Sequence, residues 1–119
     1  MNNYIHSLGV PEKFEFVEVL GFDEMLLSMV PTPVYAVMML FPISEASEAA
    51  KNQQAKDHAA DPKKNPVSEK VYFLKQVIGN ACGTVGLVHG ILNAAEHLDL
   101  KEDGFFAKFL KQTKGPWSL

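Results

Sequence analysis

Cysteine is nearly missing from this chain: Cys82 is the only one among 119 residues. One thiol cannot close an intrachain disulfide, so stability has to come from packing, and such usage points to a reducing, intracellular setting, cytoplasmic or nuclear. Basic charge is also sparse. Lys and Arg number 11 against 14 Asp and Glu, a formal charge of -3 with no basic stripe or arm, which argues against a nucleic-acid partner. The most apolar run, residues 34–43, is too short to span a bilayer, and residues 1–30 lack the basic-then-apolar pattern of a signal peptide, so no membrane partner is expected. One Cys and four scattered His show no close ligand spacing, so neither a structural zinc site nor any other cofactor is expected. There is no internal repeat.

What is present fits one globular domain: 47% of residues are hydrophobic and 21% charged. Residues 14–20, FEFVEVL, alternate apolar and acidic side chains and predict a half-exposed strand with Phe14, Phe16 and Val19 inward. Gly21 breaks it. Asp23 suits the first turn of a short helix with Met25, Leu26, Met29 and Val30 as its apolar face, which Pro31 and Pro33 stop. Residues 34–43, VYAVMMLFPI, are apolar at odd and even positions alike, which suits a central strand covered on both sides, with a buried helix as the alternative that period alone leaves open and Pro42 favouring an edge or an exit. Residues 44–66 read as a polar, mobile helix or linker, with 61–66 as a break. In the segment from Val71, the side chains of Val71, Phe73 and Leu74 are expected inward. A helix over about 81–95 carries no charge and is expected to be buried all round, and Phe105, Phe106, Phe109 and Leu110 predict a last amphipathic helix ended at Gly115-Pro116.

Cys82 admits two readings. An isolated cysteine often does no more than fill apolar space. Against that, Cys82 falls in the first turn of the predicted helix, where free backbone N–H groups stabilise a thiolate, and Gly79 and Gly83 beside it permit close approach of a substrate backbone. Gln76, an amide in an apolar stretch, could join the backbone N–H of Cys82 in an oxyanion pocket. The visible histidine does not supply a base: seven residues of helix separate His89 from Cys82 by about 10.5 Å of rise, where proton transfer needs about 3 Å. His89 is expected to be a core histidine hydrogen-bonded to a carbonyl or side chain. His6, His58 and His97 are worse placed in the sequence.

The stretch KVYFLKQVIGNACGTVGLVHG, residues 70–90, resembles the active-site motif of the ubiquitin carboxyl-terminal hydrolases, peptidase family C12, with support from FEFVEVLGFDE at 14–24, PTPVYAVMMLFPI at 31–43 and EDGFFAKFL at 102–110. The resemblance covers the N-terminal half of such an enzyme. It implies an α/β, papain-like fold, here a buried nucleophile helix packed against a partial central sheet over residues 1–119. It implies Cys82 as nucleophile, Gln76 as oxyanion-hole donor, Asn80 and Gly83 as motif residues shaping the loop, and Leu8, Gly9, Val10 and Pro11 as contacts to ubiquitin. The implied activity is hydrolysis after the C-terminal glycine of ubiquitin through a cysteine thioester. The implied partners are ubiquitin or a ubiquitin-like C-terminal tail and a complementary C-terminal segment of the same enzyme. The general-base histidine and orienting aspartate of the family fall past Leu119, and none of His6, His58, His89, His97, Asp99 or Asp103 matches them. The isolated chain is therefore expected to be inactive or nearly so; the alternative is a truncated product with at most weak ubiquitin binding. Glu69 stands where the family commonly has proline, and Gly90 where a small alanine is common.

Overall fold

Among the described residues the chain forms six α-helices and no β-strand: α1 Asn2–Ser7, α2 Glu24–Leu27, α3 Glu45–Ala60, α4 Cys82–Asn93, α5 Ala95–Leu98 and α6 Phe105–Thr113. The computed structural model describes residues 1–61, 63, 68 and 70–113. Most of the break expected at 61–66, Glu69 and the stop at Gly115-Pro116 lie outside them. The chain divides into two units, one of residues 1–38 with 72–113 and the other of Met39–Val71.

The expected partial central sheet, and with it the α/β papain-like architecture, is overturned. Residues 14–20, 34–43 and 72–77 carry no strand assignment and share no ladder of backbone hydrogen bonds. An apolar run forms a strand only when a neighbour supplies the other half of its hydrogen bonds, and these segments do not pair with each other. The run at 34–43, expected to be covered on both faces, is largely bare: Val37 is 80% exposed and Leu40 97%. Its first residues meet α4, with Ala36 near Gly90 and Met38 near Gly86.

The first unit is held by a small core of Ile5, Val10, Val88, Ile91, Leu92, Ala94, Leu98 and Phe106. Phe106, 2% exposed, is the largest side chain fully inside it, and removing it would cost about 3–5 kcal/mol. Helix α4 is buried along one side of its C-terminal half, at Val88, Ile91 and Leu92, whereas Cys82, Gly83 and Thr84 are exposed. It is therefore not buried all round: the layers that would cover its first turn are not formed by the described residues. In α6 the expected apolar face holds for Phe106, Phe109 and Leu110, while Phe105 stays exposed and stacks on Phe109 at 5.3 Å.

The stretch from Leu8 to Pro11 is pinned beside the α5–α6 turn. Gly9 has φ +107°, and a Cβ there would fall 2.8 Å from the Cα of Gly104. That approach lets Lys101 N–H donate to the Gly9 carbonyl at 2.9 Å and Phe106 N–H to the Leu8 carbonyl at 3.2 Å. Only glycine fits a left-handed backbone at such a contact.

Side chains on helices replace the absent strand partners at two places. On α1, Asn2 accepts from Phe16 N–H at 2.9 Å and donates to the Phe16 carbonyl at 3.1 Å, while His6 Nε2 donates to the Phe14 carbonyl at 2.8 Å. On α4, Asn93 accepts from Tyr72 N–H and donates to the Tyr72 carbonyl, both at 2.9 Å, while His89 Nε2 accepts from Leu74 N–H at 2.9 Å. The first pair accounts for Phe14 and Phe16 lying half-buried as expected without a strand; Val19 is exposed. The second turns Tyr72 and Leu74 inward, so of the expected trio only Leu74 is covered, and Val71 and Phe73 are exposed.

In the second unit, α3 buries no residue. Its support is local: Ser44 caps it by accepting from Ser47 N–H at 3.2 Å, Ser47 Oγ accepts from Ser44 N–H at 2.9 Å, and Glu45 and Glu48 complement the first turn.

Candidate active site

Cys82 opens α4 as a free, exposed thiol. The approach is a tight turn: Asn80 sits at φ +58°, and Ala81 is the N-cap with no side-chain hydrogen bond to the helix. The N–H groups of the first turn are thus left for an anionic atom. Nothing lies within 4 Å of where a Cβ on Gly83 or Gly79 would stand. These glycines serve no packing contact, yet Gly83 weakens the helix by up to about 1 kcal/mol relative to Ala. Both leave open space beside Cys82.

Gln76 is exposed, and its amide Nε2 donates to the Ile78 carbonyl at 2.9 Å. A primary amide has two N–H donors, and this contact uses one of them to fix the side chain to its own loop.

The histidines make their contacts elsewhere in the fold. His89 is half-buried, accepts from Leu74 N–H and stacks on Phe73 at 5.3 Å. It is hydrogen-bonded as expected, but it is half-buried rather than in the core, and its partner is a backbone N–H rather than a carbonyl or side chain. His6 holds the Phe14 carbonyl, His97 stacks on Tyr35 at 5.2 Å, and His58 belongs to α3 in the other unit. Asp99 ends α5 at φ +47° and pairs with Lys13 at 2.8 Å; that hydrogen bond and the charge of Lys13 hold its carboxyl below the usual carboxylate range. No cluster of His, Cys, Asp and Glu among the described residues could hold a metal ion, and no helix is long and apolar enough to cross a membrane.

Of the four residues expected to face ubiquitin, Gly9 and Val10 are buried, Val10 to 1% exposed, and Leu8 and Pro11 are half-buried. Leu8 also lines an apolar cleft of about 280 Å³ with Tyr4, Leu87, Val88 and the phenylalanines of α6. Sequence reasoning missed Asn93 and Asn2. The available signal was an Asn and a His four residues apart on a helix, which puts both on one face.

Residues 1–117 match the family model described as ubiquitin carboxyl-terminal hydrolase, family 1. Three curated relatives illustrate the likeness. The "Probable ubiquitin carboxyl-terminal hydrolase" of Dictyostelium discoideum is 44% identical over 113 residues, covering 95% of this chain and 44% of that protein. "Ubiquitin carboxyl-terminal hydrolase 3" of Arabidopsis thaliana is 44% identical over 114 residues, covering 95% and 47%. "Ubiquitin carboxyl-terminal hydrolase isozyme L1" of Homo sapiens is 38% identical over 114 residues, covering 96% and 49%. The chain spans about half the length of these relatives.

Proposed function

The chain belongs to family 1 of the ubiquitin carboxyl-terminal hydrolases, and on that premise we propose that it carries the nucleophile and oxyanion donors of a thiol-dependent deubiquitinating enzyme. Cys82 Sγ adds to the carbonyl carbon of the C-terminal glycine of ubiquitin. The carbonyl oxygen takes up the charge, met by the Cys82 backbone N–H and the Gln76 amide. The C–N bond then breaks, the amine leaves with the proton given up by the thiol, and water hydrolyses the thioester to return the thiol.

That proton needs a carrier, and the contacts made by three of the histidines lie elsewhere: His6 and His89 each give Nε2 to a backbone group, and His97 stacks on Tyr35. The 119 residues therefore form a covalent adduct with activated ubiquitin but do not turn over efficiently. The supporting observation is the exposed thiol at the head of α4, flanked by glycines without packing contacts, inside a family match over 1–117. Leu8 and Pro11 offer the side-chain surface of the 8–11 segment to ubiquitin. A segment bringing the missing histidine and aspartate would also cover apolar side chains such as Val37, and the expected setting is the cytoplasm or nucleus.

The test is hydrolysis of a fluorogenic ubiquitin C-terminal amide by the chain, by C82A, and by the chain mixed with the C-terminal half of a relative. Turnover is expected only in the mixture. Turnover by the chain alone, abolished in C82A, would contradict the missing base.

A further inference from the structure

Gln76 acts only if its amide stands at the right height on the helix that Cys82 begins, and no ladder of strand hydrogen bonds sets that height. Two side chains of α4 hold the segment that leads to Gln76. Asn93 takes both backbone groups of Tyr72, and its amide also donates to the His89 carbonyl at 2.9 Å, while His89 takes the N–H of Leu74. The dimensions agree: four residues of α-helix rise about 6.0 Å, and two residues of extended chain span about 6.6 Å. One helical turn thus matches one repeat of the segment, running antiparallel, with Tyr72 opposite Asn93 and Leu74 opposite His89. Continued by one more step, the same register would set Gln76 level with Val85, within one turn of Cys82.

Resting on the reading of Cys82 and Gln76 given above, we infer that His89 and Asn93 are positioning residues that set the register of the Gln76 segment against the nucleophile helix. Neither touches substrate. His89 acts as an acceptor, so it is the form unprotonated at Nε2 that holds Leu74. Phe73, stacked on the imidazole, keeps the ring plane aligned with the segment. A one-step slip of the segment would move its inward residues out and carry the Gln76 amide to the far side.

The experiment compares two labelling rates of Cys82 in the 119-residue chain: by ubiquitin bearing a C-terminal vinyl methyl ester, and by iodoacetamide, which needs no oxyanion donor. H89A and N93A are expected to slow ubiquitin labelling about tenfold or more while leaving the iodoacetamide rate within about twofold. H89Q, whose amide oxygen can accept from Leu74, is expected to restore most of the ubiquitin rate. Amide exchange at Tyr72 and Leu74 should rise in H89A and N93A and return in H89Q. If H89A and N93A react with ubiquitin as fast as the unmutated chain, or if H89Q is no better than H89A, the inference fails and the parent reading stands. An unmutated chain that takes iodoacetamide but not the ubiquitin ester overturns the parent reading, and with it any service of this register to catalysis.

Discussion

On α1, Asn2 and His6 hold residues 14–16; on α4, Asn93 and His89 hold residues 72–74. Each pair lies four residues apart, each asparagine takes both backbone groups of one residue, and each histidine takes one group two residues away. The proton runs in opposite directions. His6 must donate, because its partner is a carbonyl, and His89 must accept, because its partner is an N–H. The surroundings differ as well. The end of α1 runs into the buried Gly9–Gly104 crossing, whereas α4 has open space at its first turn. The same local device therefore stands beside a tightly packed crossing at one place and beside an open helix end at the other.

The largest expected effect separates the two regions through glycine. Gly9→Ala puts a methyl 2.8 Å from the Gly104 backbone at a left-handed φ, and thermal unfolding should show a loss of about 3 kcal/mol. Gly90→Ala on α4 should instead gain up to about 1 kcal/mol, because a Cβ there meets Ala36 at an ordinary 3.6 Å and helix propensity improves. Equal losses at both positions would break the contrast.

Next in size is an exchange of charge at the two histidines. Lysine can donate and not accept, so H6K should keep its contact and H89K should lose about 1–2 kcal/mol by leaving Leu74 N–H unmatched. Glutamate reverses the outcome: H89E is tolerated, and H6E sets a carboxylate against the Phe14 carbonyl. Urea unfolding of the four variants reads the pattern, and a loss for both lysine variants would refute opposite proton directions.

The smallest effect concerns Lys13 and Asp99, a surface pair joining the region after α1 to the end of α5. The carboxyl of Asp99 is depressed in the folded chain, so its stabilisation is present above the ordinary carboxylate range and fades as pH falls through the depressed value. D99N should slightly flatten the acid limb of a stability–pH curve and change little at neutral pH. A steeper acid limb in D99N would contradict the direction.

The parts legible in the sequence were those fixed by neighbours along the chain. Asp23 at the head of a short helix accepts from Leu26 N–H at 3.0 Å, although α2 ends at Leu27 and leaves Met25 and Met29 exposed. The α6 stripe and the helix beginning at Cys82 were legible for the same reason. Alternation at Phe14 and Phe16 was read correctly as facing inward and wrongly as a strand, because periodicity reports which side is covered and not whether a partner pairs the backbone. At residues 71–74 most of the phase was misread. Hydrophobicity favoured Val71 and Phe73, but the polar atoms of Asn93 and His89 select Tyr72 and Leu74. Of the candidate site, the placement of Cys82 at a helix start was visible, while the turning of the Gln76 amide to the Ile78 carbonyl depends on a loop conformation that residue types alone do not determine.

The most direct test of the central claim is intact-mass analysis of the 119-residue chain after incubation with ubiquitin vinyl methyl ester, beside C82A. One ubiquitin adduct is expected, located at Cys82 by peptide mapping and missing from C82A. An unreacted chain, or an adduct that persists in C82A, would contradict it.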